Sequence, residues 1–185
     1  MWRTFEDWAA HEPPEGHRVE LVEGRFRVRP PQHVAHQRAV GRVQRLLDDA
    51  VAPAGLGAVS SVGVHVGENA YVPDVVVFTE PGRERACLVS ADVVLVVEVQ
   101  SPSTETVDRV EKVGAYAGAG VPVYWLVDPR QNTVRCHVLD GGHYAEPVVV
   151  SSGNPAAIWI TDDIVVELDA DTLFAPRRQP GTVST

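Results

Sequence analysis

Glu98 stands near the carboxyl end of the most apolar run in the chain, residues 92–99, where valine and leucine are almost continuous. An ionised carboxylate in such surroundings is costly unless it is paired, hydrogen-bonded or bound to metal. A strand exit that already faces water would carry it equally well. Asp74 follows Pro73 and opens a second aliphatic run, Val75-Val76-Val77-Phe78. It fits a turn residue that accepts from nearby backbone amides. If the two runs are neighbouring strands, however, the two acids converge. Such hard oxygen donors suit Mg²⁺, which takes one or two carboxylates and completes its shell with water and substrate phosphate. Lys112 is the third candidate. It is the single lysine among 16 basic residues, the rest being arginine. A compact ammonium packs beside a reacting phosphate in a way that a planar guanidinium does not. A surface ion pair with Asp108, one helical turn earlier, accounts for the lysine just as simply.

These residues must be held by elements that the sequence also outlines. Thr4 and Asp7 make a capping-box start for a short helix ending before Pro13-Pro14. Residues 18–22, Glu23-Gly24 and residues 26–29 read as a β-hairpin. From residue 33 to 53 the apolar positions Val34, Val40, Val43, Leu47, Ala50 and Val51 recur at helical spacing. Alternation at Val62, Val64 and Val66 marks a strand, and residues 71–79 another, interrupted early by Pro73. Residues 92–99 suit a central strand buried on both faces. Residues 104–117 suit a helix, with Lys112 beside Asp108 and Tyr116 and off its valine stripe. Residues 121–127 form the next strand, closed by Asp128-Pro129. Strand, helix, strand over so short a stretch is a βαβ unit, so the two strands should run parallel. Residues 133–150 suggest a trailing hairpin broken at Asp140-Gly141-Gly142, and residues 164–168 a last short strand. Residues 1–174 are expected to form one α/β domain, and 175–185, with two prolines and a glycine, a disordered tail.

Taken together, Pro73-Asp74, the run from Glu98 through Val99-Gln100-Ser101-Pro102-Ser103-Thr104, then Asp108, Lys112, Tyr116 and the stretch 120–129 resemble the Uma-type restriction endonucleases, a branch of the PD-(D/E)xK nuclease superfamily. The resemblance reaches upstream to residues 19–24 and to His36 at the start of the long helix. It implies a restriction-endonuclease-like fold, a central mixed β-sheet flanked by helices. It also implies Mg²⁺, with Mn²⁺ as the alternative ion, on Asp74 and Glu98, and hydrolysis of phosphodiester bonds in nucleic acid, DNA above all. The superfamily motif would place lysine where this chain has Gln100; in the Uma-type branch the following helix takes over that role, where Lys112 sits. On this reading Asp74, Glu98 and a backbone carbonyl near Val99 hold the metal, Lys112 stabilises developing charge, and Gln100 orients water or phosphate. Glu20 is a further carboxylate that fits either the metal's surroundings or a hairpin surface, and His36 either a phosphate contact or a structural role.

Charge sets a counterweight. The formal net charge of −9 is unlike most nucleic-acid binders, whose affinity rests on neutralising phosphates. Two arginine sets are available: Arg25, Arg27 and Arg29 alternate along one strand, and Arg38, Arg42 and Arg45 form a stripe on the long helix. Both fit a backbone-tracking surface or simply solvated positions that balance nearby acids. Two distant cysteines without metal spacing and an N-terminus lacking an apolar segment suit a cytoplasmic protein, and no run is long enough to span a bilayer. A homodimer is expected by analogy with the superfamily. Two other functions fit the same acids: a catalytically degenerate, metal-retaining interaction module, and a small-molecule phosphoesterase.

Overall fold

The computed structural model describes residues 3–80, 85–101 and 111–175. Helix α1 (Phe5–Ala9) starts at Thr4, whose side chain accepts from the Asp7 amide while the Asp7 carboxylate accepts from the Thr4 amide. Strands β1 (Arg18–Val22) and β2 (Arg25–Arg29) pair antiparallel across Glu23 and Gly24, both at positive φ. Helix α2 (Val34–Val51) buries Ala39, Val40, Val43, Leu47 and Val51 on one stripe.

Four short strands follow: β3 (Gly57–Ser60), β4 (Gly63–Val66), β5 (Asn69–Tyr71) and β6 (Val75–Phe78). Then come β7 (Cys87–Val89), β8 (Val93–Val99), α3 (Val113–Gly118), β9 (Val123–Asp128) and β10 (Thr133–Asp140). The chain continues through β11 (His143–Tyr144), β12 (Val148–Ser151), β13 (Ala156–Trp159), β14 (Val165–Leu168) and α4 (Ala170–Phe174).

Among the described residues these strands build a five-stranded sheet, β2-β1-β5-β4-β7, and a seven-stranded one, β11-β10-β9-β8-β6-β3 with β12 beside β10. The pair β13-β14 stands apart from both. The larger sheet is mixed: β8 pairs parallel with β9 and antiparallel with β6. It is buried on both faces, as its unbroken aliphatic strands require. Val75, Val77, Leu95, Val97 and Trp125 pack beneath α2, while Val76, Val96, Tyr124 and Leu126 meet Val22, Val64, Tyr71 and Leu88 of the smaller sheet together with Tyr116 of α3.

The parallel βαβ pairing and the α/β architecture are those expected. The strand expected over 71–79 is instead two strands in two sheets. β5 belongs to the smaller sheet and β6 to the larger, and Val72-Pro73-Asp74 makes the step between them. Proline lacks the N–H that a continuing ladder would use. Three short strands, β3, β7 and β13, carry too little alternation to read from sequence. Of the helix expected over 104–117, residues up to 110, Asp108 included, lie outside the described residues, as does the tail beyond Ala175. No helix among the described residues is long and apolar enough to cross a membrane.

Candidate active site

β6 and β8 run antiparallel with Val75 opposite Val97. Extending that register by one residue sets Asp74 opposite Glu98. The Asp74 amide donates to the Val97 carbonyl at 3.1 Å, which holds this end of the ladder closed. Both carboxylates are buried, and both line one cavity of about 20 Å³, room for a single water- or ion-sized occupant. Arg18, Glu20, Arg29, Gln32, His36, Val72, Val99 and Lys112 complete its wall.

Asp74 is held on three sides. Its Oδ1 accepts from Arg18 Nη1 at 2.8 Å and faces His36 Nε2 at 3.0 Å; its Oδ2 accepts from the Val99 amide at 2.8 Å. Since an ionised carboxylate only accepts, His36 Nε2 carries the proton and donates. Burial pushes this carboxyl up, but His36, Arg18 and the Val99 amide together outweigh it and hold the group below the usual aspartate range. A raised value, as two unneutralised acids would give each other, is therefore not what Asp74 has.

Lys112 departs from expectation. It is 3% exposed rather than on a solvated helix face. Its Nζ donates to Glu98 Oε1 at 2.9 Å and to Glu20 Oε1 at 2.7 Å, and it lies 5.6 Å from the centre of the Tyr71 ring. The lysine just before α3 thus ties β8 of the larger sheet to β1 of the smaller. Glu20 is correspondingly buried and not a hairpin surface residue. It takes Arg29 Nε on Oε2 at 3.0 Å and the Val72 amide on Oε1 at 3.2 Å. Burial raises Glu20, yet Lys112 and Arg29 overcome that and leave it below its ordinary value. Tyr116, buried in α3, donates its hydroxyl to Glu98 Oε1 at 3.3 Å; burial keeps that phenol well above its usual value and hence protonated.

Other expected residues fall outside this cluster. Gln100 is buried with its amide bonded to the Val127 carbonyl at 2.7 Å, but it does not line the cavity, and its Nε2 has no partner among the described residues. β8 ends at Val99, so Gln100 is aligned by β9 rather than by the acids. Of the strand arginines, Arg29 joins the site, Arg27 is bound by Glu111 at 2.8 Å and Arg25 is exposed. The helix stripe lies elsewhere: Arg42 donates to the Leu173 carbonyl at 2.8 Å and caps α4, while Arg38 and Arg45 are exposed beside grooves that do not reach the acids. Arg18, Gln32 and Val72 were not anticipated. The only signal for Arg18 was its place at the start of β1, two residues before Glu20 and so on the same face.

Asp74 and Glu98 offer hard oxygen donors of the kind Mg²⁺ takes, and Val99 lines the same cavity. Among the described residues no group of three or more His, Cys, Asp or Glu side chains is placed to hold a metal ion. Arg18 and Arg29, 21% and 16% exposed, form part of the cavity wall.

Comparison with known proteins bears on the fold and the family. No curated protein matches the chain. Among solved structures, one described as "a putative nuclease belonging to DUF820" from Anabaena variabilis ATCC 29413 superposes with a TM-score of 0.76 over 92% of this chain and 97% of its own, at 19% identity. That is a likeness of fold. A family model with the description "Putative restriction endonuclease" matches residues 2–169, nearly the full length. By that match the chain belongs to the Uma2 family.

Proposed function

We propose that this protein is a metal-dependent endonuclease that hydrolyses phosphodiester bonds of nucleic acid, DNA first among them. One observation carries the reading: Asp74 and Glu98, buried on antiparallel neighbours, open into one cavity that also presents Arg18, Arg29 and Lys112. Asp74, Glu98 and the Val99 carbonyl would hold Mg²⁺, or Mn²⁺ in its place. Bound there, the ion supplies charge neutralisation for the phosphate and lowers the pKa of a coordinated water. The chain's own part is electrostatic. Val99 and His36 fix the Asp74 carboxylate, and Tyr116 and Lys112 fix that of Glu98, so neither has to reorganise when substrate arrives. Lys112 places its ammonium beside the reacting oxygens, and Arg18 and Arg29, at the mouth, meet the non-bridging oxygens of the phosphate.

The test is cleavage of single- and double-stranded DNA and RNA with Mg²⁺, with Mn²⁺ and with EDTA. Cleavage that needs metal and disappears in Asp74→Asn and Glu98→Gln is expected. Lys112→Arg, keeping the charge but changing its reach, should recover only part of the about hundred- to thousandfold in kcat that losing one well-placed electrostatic donor costs. Turnover of nucleotide monophosphates alone would select a small-molecule phosphoesterase. Calorimetric Mg²⁺ binding without hydrolysis of any of these would select an interaction module.

A further inference from the structure

The cavity is too small for a nucleoside, so the sugar and base attached to its phosphate must lie outside it. A second opening of about 540 Å³ adjoins it, and Arg18 and Val72 belong to both walls. The remaining wall carries Trp8, His11 and His17. None of the groove's described lining residues is acidic, in a chain of 25 aspartates and glutamates. The groove between α2 and α4, by contrast, sets Asp49, Glu167 and Asp169 beside Arg42 and Arg45. Trp8 is fixed in place: its indole N–H donates to the Val19 carbonyl at 2.6 Å, and its ring occupies the space that a side chain at position 63 would need, which glycine leaves clear. His17 is oriented by a bond between its Nδ1 and the Glu15 carbonyl at 2.9 Å. An anchored indole, two imidazoles and a guanidinium shared with the phosphate site suit a planar, π-faced group next to an anion.

We infer that this groove binds one unpaired nucleobase of the strand whose phosphate sits at the cavity mouth, with Trp8 as its stacking surface and Arg18 as the link between base and phosphate. This rests on reading the cavity mouth as a phosphate site. A base can enter only if it is unstacked, so the preferred substrate is single-stranded nucleic acid or a duplex with an extruded base.

The experiment measures binding of a short fluorescent oligothymidylate and of the same strand with abasic sugars, to the full-length protein in EDTA, so that nothing is cleaved. The intact strand should bind about 5- to 150-fold more tightly, the range that stacking on one aromatic residue provides. Trp8→Ala should erase that preference while leaving abasic affinity in place. Should Trp8→Ala fold poorly, His17→Ala, at the surface end of the groove, should reduce the preference. The conservative Trp8→Phe should abolish the tryptophan quenching produced by the intact strand. Equal affinity for the two strands, or a preference that survives Trp8→Ala in folded protein, overturns the assignment. Metal-dependent cleavage without a base preference would leave the nuclease reading standing and remove the groove. A base preference without cleavage would do the reverse.

Discussion

At the scale of single residues, the buried Lys112 is the cation that Glu20 and Glu98 share. Lys112→Ala would leave the two acids buried without it, at a cost of about 3–5 kcal/mol. Adding Glu20→Gln should recover much of that loss, and urea denaturation of the two variants in EDTA measures both. Asp74 and Glu98 were legible in the sequence because a carboxylate beside an aliphatic run is anomalous. Lys112 was legible as the lone lysine, yet helical spacing alone set it on a solvated face, because its partner Glu20 is 92 residues away. The depressed carboxyls make a second prediction. Burial alone would raise Asp74 and Glu20, but neighbouring cations and donors hold both below their ordinary values. As pH falls, the unfolded chain therefore takes up these protons before the folded one. Their stabilising contribution is complete above about pH 5 and shrinks below about pH 4, until the folded groups protonate too. Stability measured in EDTA from neutral to strongly acidic pH should show this decline, and Asp74→Asn should flatten part of it.

Among elements, long and strongly patterned segments were readable, and short ones were not. α2 and β8 carry enough apolar periodicity to specify themselves, whereas β3, β7 and β13 are three or four residues long and gain their state from neighbours. The division at Pro73 was half visible: proline signalled an interruption, but only tertiary pairing decides that β5 and β6 go to different sheets. α1 is marked by its capping box and is too short to persist without it. Thr4→Ala should cost this helix about 1 kcal/mol. Because α1 carries Trp8, amide exchange across residues 5–9 should accelerate while the urea midpoint of the whole protein hardly moves.

For the whole molecule, the net charge of −9 repels a polyanion at long range, so binding must rest on the few cations at the cavity mouth. If two to four phosphates are contacted, the slope of log affinity against log salt should be only about −1.4 to −2.8 for single strands. A much steeper dependence would mean that the outlying arginines on α2 also take part. The two sheets also give the site a mechanical character. Arg18, Glu20 and Arg29 come from the smaller sheet, and Glu98 and Val99 from the larger. Asp74 sits on the connector, where the Val72 amide is pinned to Glu20 and the Asp74 amide to Val97. Sliding one sheet over the other would shift Arg18 and Glu20 against Asp74 and Glu98, which the Val97 carbonyl and the Val99 amide hold together, so the centre works as a gauge of shear between the layers. Leu88→Ala, which loosens the packing between sheets far from the acids, should therefore weaken calorimetric Mg²⁺ binding and do so more steeply with temperature than in the parent protein.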